Sequence, residues 1–367
     1  MTARKNWGNR PWVVDFHAAE RTLPETVHFA VVGGGFTGLA AAAWLKKLDA
    51  SKSVALFEAG EFGEGSSGHT GGVALAETAA GDMPGLGDVL AGYRRITEEL
   101  EVTGDLVVPG CYELARENPL PNSPMCWKDS GDLCATKEVP GGTIDPGKTV
   151  AGLARAAERH GVLLFEHCNV DDARFTEEVE LCTAAGLVRA KKALFATNAY
   201  SSELSGLKGV AQPAFTTALM TEPLSDAVIE EIGLGERKPF YTVDLPYLWG
   251  RLVGNAVIFG AGLVFFEDWR ELNSFDITEG QAREVFEILE RRVRRMAKPL
   301  ADVEITHRWG GPISIAENWK PIFRCHEKSG NAVVLGSFSG HGVAQSVYLG
   351  AWAAEVMLGK RPLPDWD

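Results

Sequence analysis

The residues best placed to do chemistry begin with "VVGGGFTGLAAAAWL", residues 31 to 45, where an apolar run meets three glycines in G-x-G-x-x-G spacing and an alanine-rich helical stretch. In such a strand, turn and helix, Gly33 permits the tight turn, Gly35 lets the backbone approach a pyrophosphate, and Gly38 lets the helix pack on the strand. The helix N-terminus, starting at Phe36 and Thr37, stabilises the phosphate charge. Glu58, 20 residues past Gly38 at the end of "SVALFEAG", would accept hydrogen bonds from a ribose 2′-hydroxyl, with Ala59 beside it. Its charge would repel a 2′-phosphate, which disfavours NADP. Strand before, helix after and acid at the right distance make informative a motif that is weak alone. The alternative is a glycine turn in an α/β core with no ligand.

A second turn decides between a nicotinamide and a flavin. "GEGSSGHTGG", residues 63 to 72, has too much glycine for a helix and too many hydroxyls for a core. A nicotinamide enzyme has no use for it here, whereas an extended FAD needs further backbone amides along its ribityl chain and second phosphate.

The elements that must position these residues alternate between apolar strands and helical patterns in three separated stretches, so the fold class is α/β. The first runs from residue 29 to about 72, the second from "GGTIDPGKTVAGLARAAERHGVLLFE" through "AKKALFATNAY", and the third is "NAVVLGSFSGHGVAQSVYLGAWAAEVML". Two segments of other character intervene, one with a Pro/Asn/Ser-rich loop, the other with strand-like runs and a hairpin at Gly254 and Asn255. The expected organisation is a Rossmann-like FAD-binding domain of residues 1–81, 142–210 and 306–367, interleaved with a mixed-sheet α+β substrate domain of residues 82–141 and 211–305. A helix is expected from Thr278, with a capping box of Thr278 and Gln281 and with Val285, Leu289, Val293 and Met296 inward.

A chain of 367 residues is long for one core, and 45% apolar with 23% charged residues is the balance of a globular protein. A net charge of −13 argues against nucleic acid, and the run of Arg291, Arg292, Arg294 and Arg295 reads as a solvated helix face. Six cysteines without a C-x-x-C pair or a histidine at zinc spacing argue against metal and disulfide frameworks, so a reducing cytoplasm is expected. No signal-peptide core follows the N-terminal charges. The longest uncharged run, residues 29 to 45, is broken by glycines and is not a membrane span.

With "VVGGGFTGLAAA", "FEAGEFGEGSSGHTGG", "GGTIDPGKTVAGLARAAERHGV", "LFATNAYSS", "DVEITHRWGGPIS" and "LGSFSGHGVAQSVYLGAWAAEVMLG" in order from residue 31 to 359, the chain resembles a known family. It is that of the FAD-dependent oxidoreductases of the D-amino acid oxidase, glycine oxidase and sarcosine oxidase superfamily, and the likeness is greatest to the γ-glutamylputrescine oxidase type. The resemblance implies that Gly33, Gly35 and Gly38 hold the pyrophosphate and Glu58 the adenosine ribose. Gly65, Ser66, Ser67, Gly71 and Gly72 would face the ribityl chain and isoalloxazine, and Val170 would offer its backbone to adenine, unless it is a plain core valine. Thr197 and Asn198 would close over the diphosphate, and Ala199 and Gly311 are further candidates for contact with the cofactor. Gly340, His341, Gly342 and Val343 would set a helix N-terminus against the flavin N1 and C2 carbonyl, stabilising negative charge there. His341 could equally be only a helix-start residue.

The reaction so implied removes hydride from a carbon bearing nitrogen, delivers it to flavin N5, and leaves an imine that hydrolyses. Arg308, Trp309, Tyr241, Tyr247 and Arg251 are candidates to hold the substrate, since arginine pairs with carboxylate and aromatic faces attract alkylammonium. Against this, Arg308 could pair with a surface acid and the tyrosines could be sheet packing. In dimethylglycine dehydrogenase relatives a histidine at a turn like that of His69 bonds covalently to flavin, but "SSGHTGG" fits a polar residue lining a non-covalent FAD. Sarcosine oxidases attach flavin through a cysteine near the segment that here reads "GGPISIAE", where there is none, and carry a lysine where this chain has Ile258. Asn318 stands where relatives often have aspartate, and Phe323 where they often have glycine. The partners implied are a small amine or amino acid and oxygen or another electron acceptor, with no membrane span. Two other readings stay open: FAD-dependent oxidation of a hydroxy compound, and a flavin-binding subunit without its own turnover.

Overall fold

The computed structural model describes residues 5–366; the four residues before them, whose charges entered the reading of the N-terminus, lie outside the described residues. The glycine motif forms β1 (Thr26–Val32), α1 (Phe36–Leu48) and β2 (Val54–Phe57), followed by one-turn α2 (Ser66–His69) and β3 (Val73–Leu75). Then come α3 (Val89–Glu99), β4 (Cys111–Ala115), β5 (Cys126–Lys128), β6 (Asp132–Val139) and β7 (Gly141–Thr143), which pairs with β3. The chain returns through α4 (Pro146–Arg159), β8 (Leu163–Phe165), β9 (Val170–Phe175), β10 (Val179–Thr183) and β11 (Gly186–Phe195). After α5 (Ser202–Ser205) it runs through β12 (Ala211–Thr221), α6 (Asp226–Glu231), β13 (Phe240–Thr242), β14 (Trp249–Val253), β15 (Ala256–Phe265) and α7 (Gly280–Met296). It closes with β16 (Ile305–Ala316), β17 (Ile322–His326), β18 (Ser329–Gly336) and α8 (Gly342–Met357).

The first sheet has the order β17-β18-β11-β1-β2-β8, with β10 and β9 attached to β11. From β18 to β8 the strands are parallel. Parallel strands covered on both faces read as unbroken apolar runs, and all four residues of β2 are buried. Ala40 to Ala43 of α1 are fully buried and small, so α8 approaches closely; a Cβ on Gly350 would stand 2.5 Å from the Thr37 carbonyl oxygen.

The second sheet has the order β16-β12-β15-β14-β13-β4-β6-β5 and is antiparallel except where β13 meets β4. Leu289, Val293 and Met296 of α7 enter its core. β16, expected with the nucleotide-binding portion, pairs with β12 over its length, and α3, expected with the substrate portion, packs in the core of the first sheet.

Three local expectations are corrected. The helix near Thr278 starts at Gly280 without a side-chain cap, because the Thr278 amide and hydroxyl both donate to Asp276 in a tight turn, and Val285 is only half-buried. Arg292 leaves the solvated arginine face and donates to Asp129. Cys126 and Cys134, cross-strand partners of β5 and β6, are disulfide-bonded, a pairing invisible in their spacing because the hairpin register creates it. That bond withdraws the cysteine argument for a reducing compartment. No helix among the described residues is long and apolar enough to cross a membrane.

Candidate active site

Four turns from distant parts of the chain meet at one cavity, and hydrogen bonds lock them together. The Ser67 hydroxyl of α2 accepts from the Phe36 amide at 2.9 Å, joining the second glycine turn to the start of α1. Asn198, after β11, donates to Ser66 Oγ at 2.8 Å and accepts from the Ser337 amide at 3.0 Å, so it ties α2 to the turn before α8. Ser66 in turn donates to the Pro312 carbonyl of β16. Asn198, Ser337 and Ser339 all take positive φ values of 49° to 56°, a costly conformation for residues with a Cβ and one that clusters at functional sites.

The cavity has a volume of about 1260 Å³. Small-molecule pockets usually fall between roughly 300 and 1,000 Å³, so this one has room for an extended dinucleotide and a substrate together. One end is built by Gly33, Gly35, Phe36, Thr37, Glu58, Ala59, Gly65, Ser66, Ser67, His69, Gly71, Val170, Thr197 and Asn198. Gly311, Gly340, His341, Gly342 and Val343 line its middle. Tyr241, Tyr247 and Trp249, the last packed on Gly71, form an aromatic wall with Leu75, Ile288 and Leu289.

Glu58 sits at the nucleotide end with Oε2 on the Gly34 amide at 2.7 Å and Oε1 on the Gly60 amide at 2.9 Å. Burial pushes its pKa up, opposed by those two donors. His69 is pushed down to about 3 by burial, then by the Arg10 charge, and is neutral; its Nδ1 lies 3.0 Å from the Gly65 carbonyl and donates to it. Burial also lowers His341, whose Nδ1 faces the Ser339 carbonyl at 3.5 Å. The two helices that point into the cavity, α1 and α8, have no cap from their own N-cap residues, and beyond the Phe36 amide held by Ser67 their first-turn amides are left for a ligand.

Other predicted residues stand elsewhere. Gly38 and Gly72 do not reach the cavity; a Cβ on Gly38 would lie 1.9 Å from the Gly33 carbonyl oxygen, so its role is packing. Ala199 is buried in the cluster of Trp7 and Phe215. Arg308 is turned away by an ion pair with Glu290. Trp309 is fully buried against Trp12 and donates to the His69 carbonyl at 3.0 Å. Arg251 is buried beside Gly72, with an unpartnered Nε and a pKa lowered to about 10 by burial. Ile258 packs with Trp12 and Trp309.

Sequence reasoning missed Trp249, Glu77 and Gln345. The Trp249 ring fills space left by Gly71 and Gly260, where a Cβ would lie 2.0 Å from it in each case. The Glu77 carboxylate accepts a hydrogen bond from the Tyr241 hydroxyl, and Gln345 donates to the Glu77 carbonyl. Only the paired glycines facing Trp249 left a trace in the sequence.

The model of the family described as "FAD dependent oxidoreductase" (DAO) matches residues 28–123 and 113–356. This chain belongs to the DAO family. The DAO-family chain is 27% identical to "Probable oxidoreductase OrdL" of Rhizobium meliloti (strain 1021), over 93% of its own length and 88% of the relative's. It is 25% identical to "Gamma-glutamylputrescine oxidoreductase" of Escherichia coli (strain K12), over 92% and 85%. In fold it is similar to glycine oxidase from Geobacillus kaustophilus, with a TM-score of 0.72, 21% identity, and coverage of 94% and 97%. L-proline dehydrogenase from P. horikoshii gives 0.76 and 19% over 93% and 96%. The protein is thus an FAD-dependent oxidoreductase.

The cavity fits FAD on its own terms. The Thr197 hydroxyl is buried at the cavity wall with no partner, two uncapped helix starts face the same space, and Glu58 offers its carboxylate where a ribose would lie. The Thr197 hydroxyl and the free first-turn amides lack the partners that a ribityl diphosphate supplies, while Glu58 is already held in place by two amides.

Proposed function

We propose that this DAO-family enzyme oxidises the C–N bond of a small amine or amino acid. When bound, FAD supplies a two-electron acceptor for the hydride of the carbon bearing nitrogen. The substrate is left as an iminium, which water converts to a carbonyl compound and a free amine. The residues at the far end of the cavity orient that carbon and exclude water from it. Tyr247 and Trp249 give aromatic walls that favour an alkylamine. The α8 N-terminus, with a neutral His341 at its head, presents the positive end of a helix dipole to the middle of the cavity.

The observation that supports this reading is the continuity of the dinucleotide cradle with an enclosed aromatic chamber in a single cavity. The residue roles for FAD are part of the proposal: Gly33, Gly35, Thr197 and Asn198 at the diphosphate, Glu58 at the ribose, and Ser66, Ser67 and His69 along the ribityl chain. Holoenzyme mixed with amines or with alcohols in the absence of air tests it. Bleaching of the flavin by amines is expected. Bleaching by alcohols alone would favour the hydroxy-compound reading, and bleaching by neither would favour a flavin-binding subunit. We propose further that FAD is held non-covalently, so acid precipitation should leave the yellow colour in the supernatant.

A further inference from the structure

Among the described residues, each cation near the aromatic end of the cavity is already committed or lies outside it. Arg292 donates to both carboxylate oxygens of Asp129 and to the carbonyls of Pro246 and Tyr247. Arg308 is held by Glu290, and Lys5 by Glu64. Arg251 lies against Gly72, outside the lining. A carboxylate brought in by a substrate would lose its hydration here and find no free cation.

Tyr241 lines the same end, and its hydroxyl donates to the Glu77 carboxylate, with a Glu113 oxygen at 3.4 Å as a second acceptor. A phenol has one proton to give. With that proton held by Glu77, Tyr241 turns only lone pairs toward the cavity. Behind it Gln345, fully buried, donates Nε2 to the Glu77 carbonyl at 2.5 Å and leaves Oε1 with no donor at all. Of these groups only Tyr241 lines the cavity, and it meets the cavity as an acceptor, which an N–H group completes and a carboxylate does not.

We infer, building on the amine-oxidation reading above, that Tyr241 held by Glu77 accepts a hydrogen bond from the substrate amine, and that the site selects amines without a carboxylate on the reacting carbon over the corresponding amino acids.

The test compares reduction of the holoenzyme flavin, without air, by 2-phenylethylamine and 3-methylbutylamine and by phenylalanine and leucine in both configurations. These pairs differ by the carboxylate alone. Each amine is expected to reduce the flavin at least tenfold faster than its amino acid. A smaller or reversed preference overturns this inference while amine and amino acid oxidation stands; reduction by none of them overturns both. Binding provides a second readout with tert-butylamine and 2-aminoisobutyrate, which have no hydrogen on that carbon and cannot be oxidised. Titrations followed by flavin absorbance should show the amine tighter in the unaltered protein. In Glu77→Gln the new amide can donate to the phenol oxygen and free its proton, so tert-butylamine should bind about tenfold more weakly and 2-aminoisobutyrate more tightly. Tyr241→Phe should lose the preference while keeping the ring beside His341. Parallel weakening of both ligands in both variants would overturn the assignment.

Discussion

Glu58 and His69 show how single side chains divide the work at the nucleotide end. Glu58 is a buried carboxylate satisfied by two backbone amides, so replacing it with alanine leaves the Gly34 and Gly60 N–H groups without their acceptor. Glu58→Ala should cost about 1–3 kcal/mol of stability, measured by urea unfolding, and release FAD on gel filtration. His69 sets an acid limb. In the unfolded chain it takes a proton at its ordinary 6.5, whereas the folded site refuses one until about 3, so stability should fall as pH drops through that window. The slope is bounded at about 1.4 kcal/mol per pH unit and is smaller here, because His69 is only partly shielded from solvent. Urea midpoints at pH 7 and pH 5 should separate less in His69→Asn, which keeps a donor for Gly65, than in the unaltered protein. Glu58 was legible because its spacing from the glycines is a local quantity. Arg308 was not, since Glu290, 18 residues earlier on α7, decides where it points.

Elements meet at glycines chosen for closeness. Gly38 is the contact of α1 with its own turn, and Gly350 is the contact of α8 with α1. Gly38→Ala would drive a methyl group into the Gly33 carbonyl, where backbone and not a flexible side chain must give way. The expected result is loss of several kcal/mol and of FAD retention, read by thermal unfolding and flavin content; Gly81→Ala, where nothing stands within 4 Å, should cost far less and keep its flavin. That Gly81 change carries only the cost of its positive φ of 83°. The strand, turn and helix of the glycine motif could be read because each rests on residues adjacent in sequence. The membership of β16 could not, because the pairing of β16 with β12 joins positions some ninety residues apart, and register between distant strands leaves no local pattern.

Across the whole molecule, the aromatic end of the cavity hangs on a charged knot at Asp129. This buried carboxylate accepts from Arg116 and twice from Arg292, while Arg116 also holds Asp244 and Arg292 holds the carbonyls of Pro246 and Tyr247. Asp129→Ala leaves the Arg292 guanidinium without a carboxylate while Arg116 keeps Asp244, so it should cost about 3–5 kcal/mol and loosen the Tyr247 segment. Urea unfolding gives the first and raised hydrogen exchange over residues 243–248 the second. Arg116, Asp129 and Arg292 offered no pattern in the sequence, where the last read as part of a solvated run.

The indole of Trp249 has a different consequence. It rises from the second sheet and lies flush against Gly71 of the second glycine turn and Gly260 of β15, so it works as a key between the two halves. Prying the halves apart would mean drawing that ring out of its slot. Leu245 and Pro246 line the same cavity and stand exposed, so the chamber meets solvent there with that ring still in place.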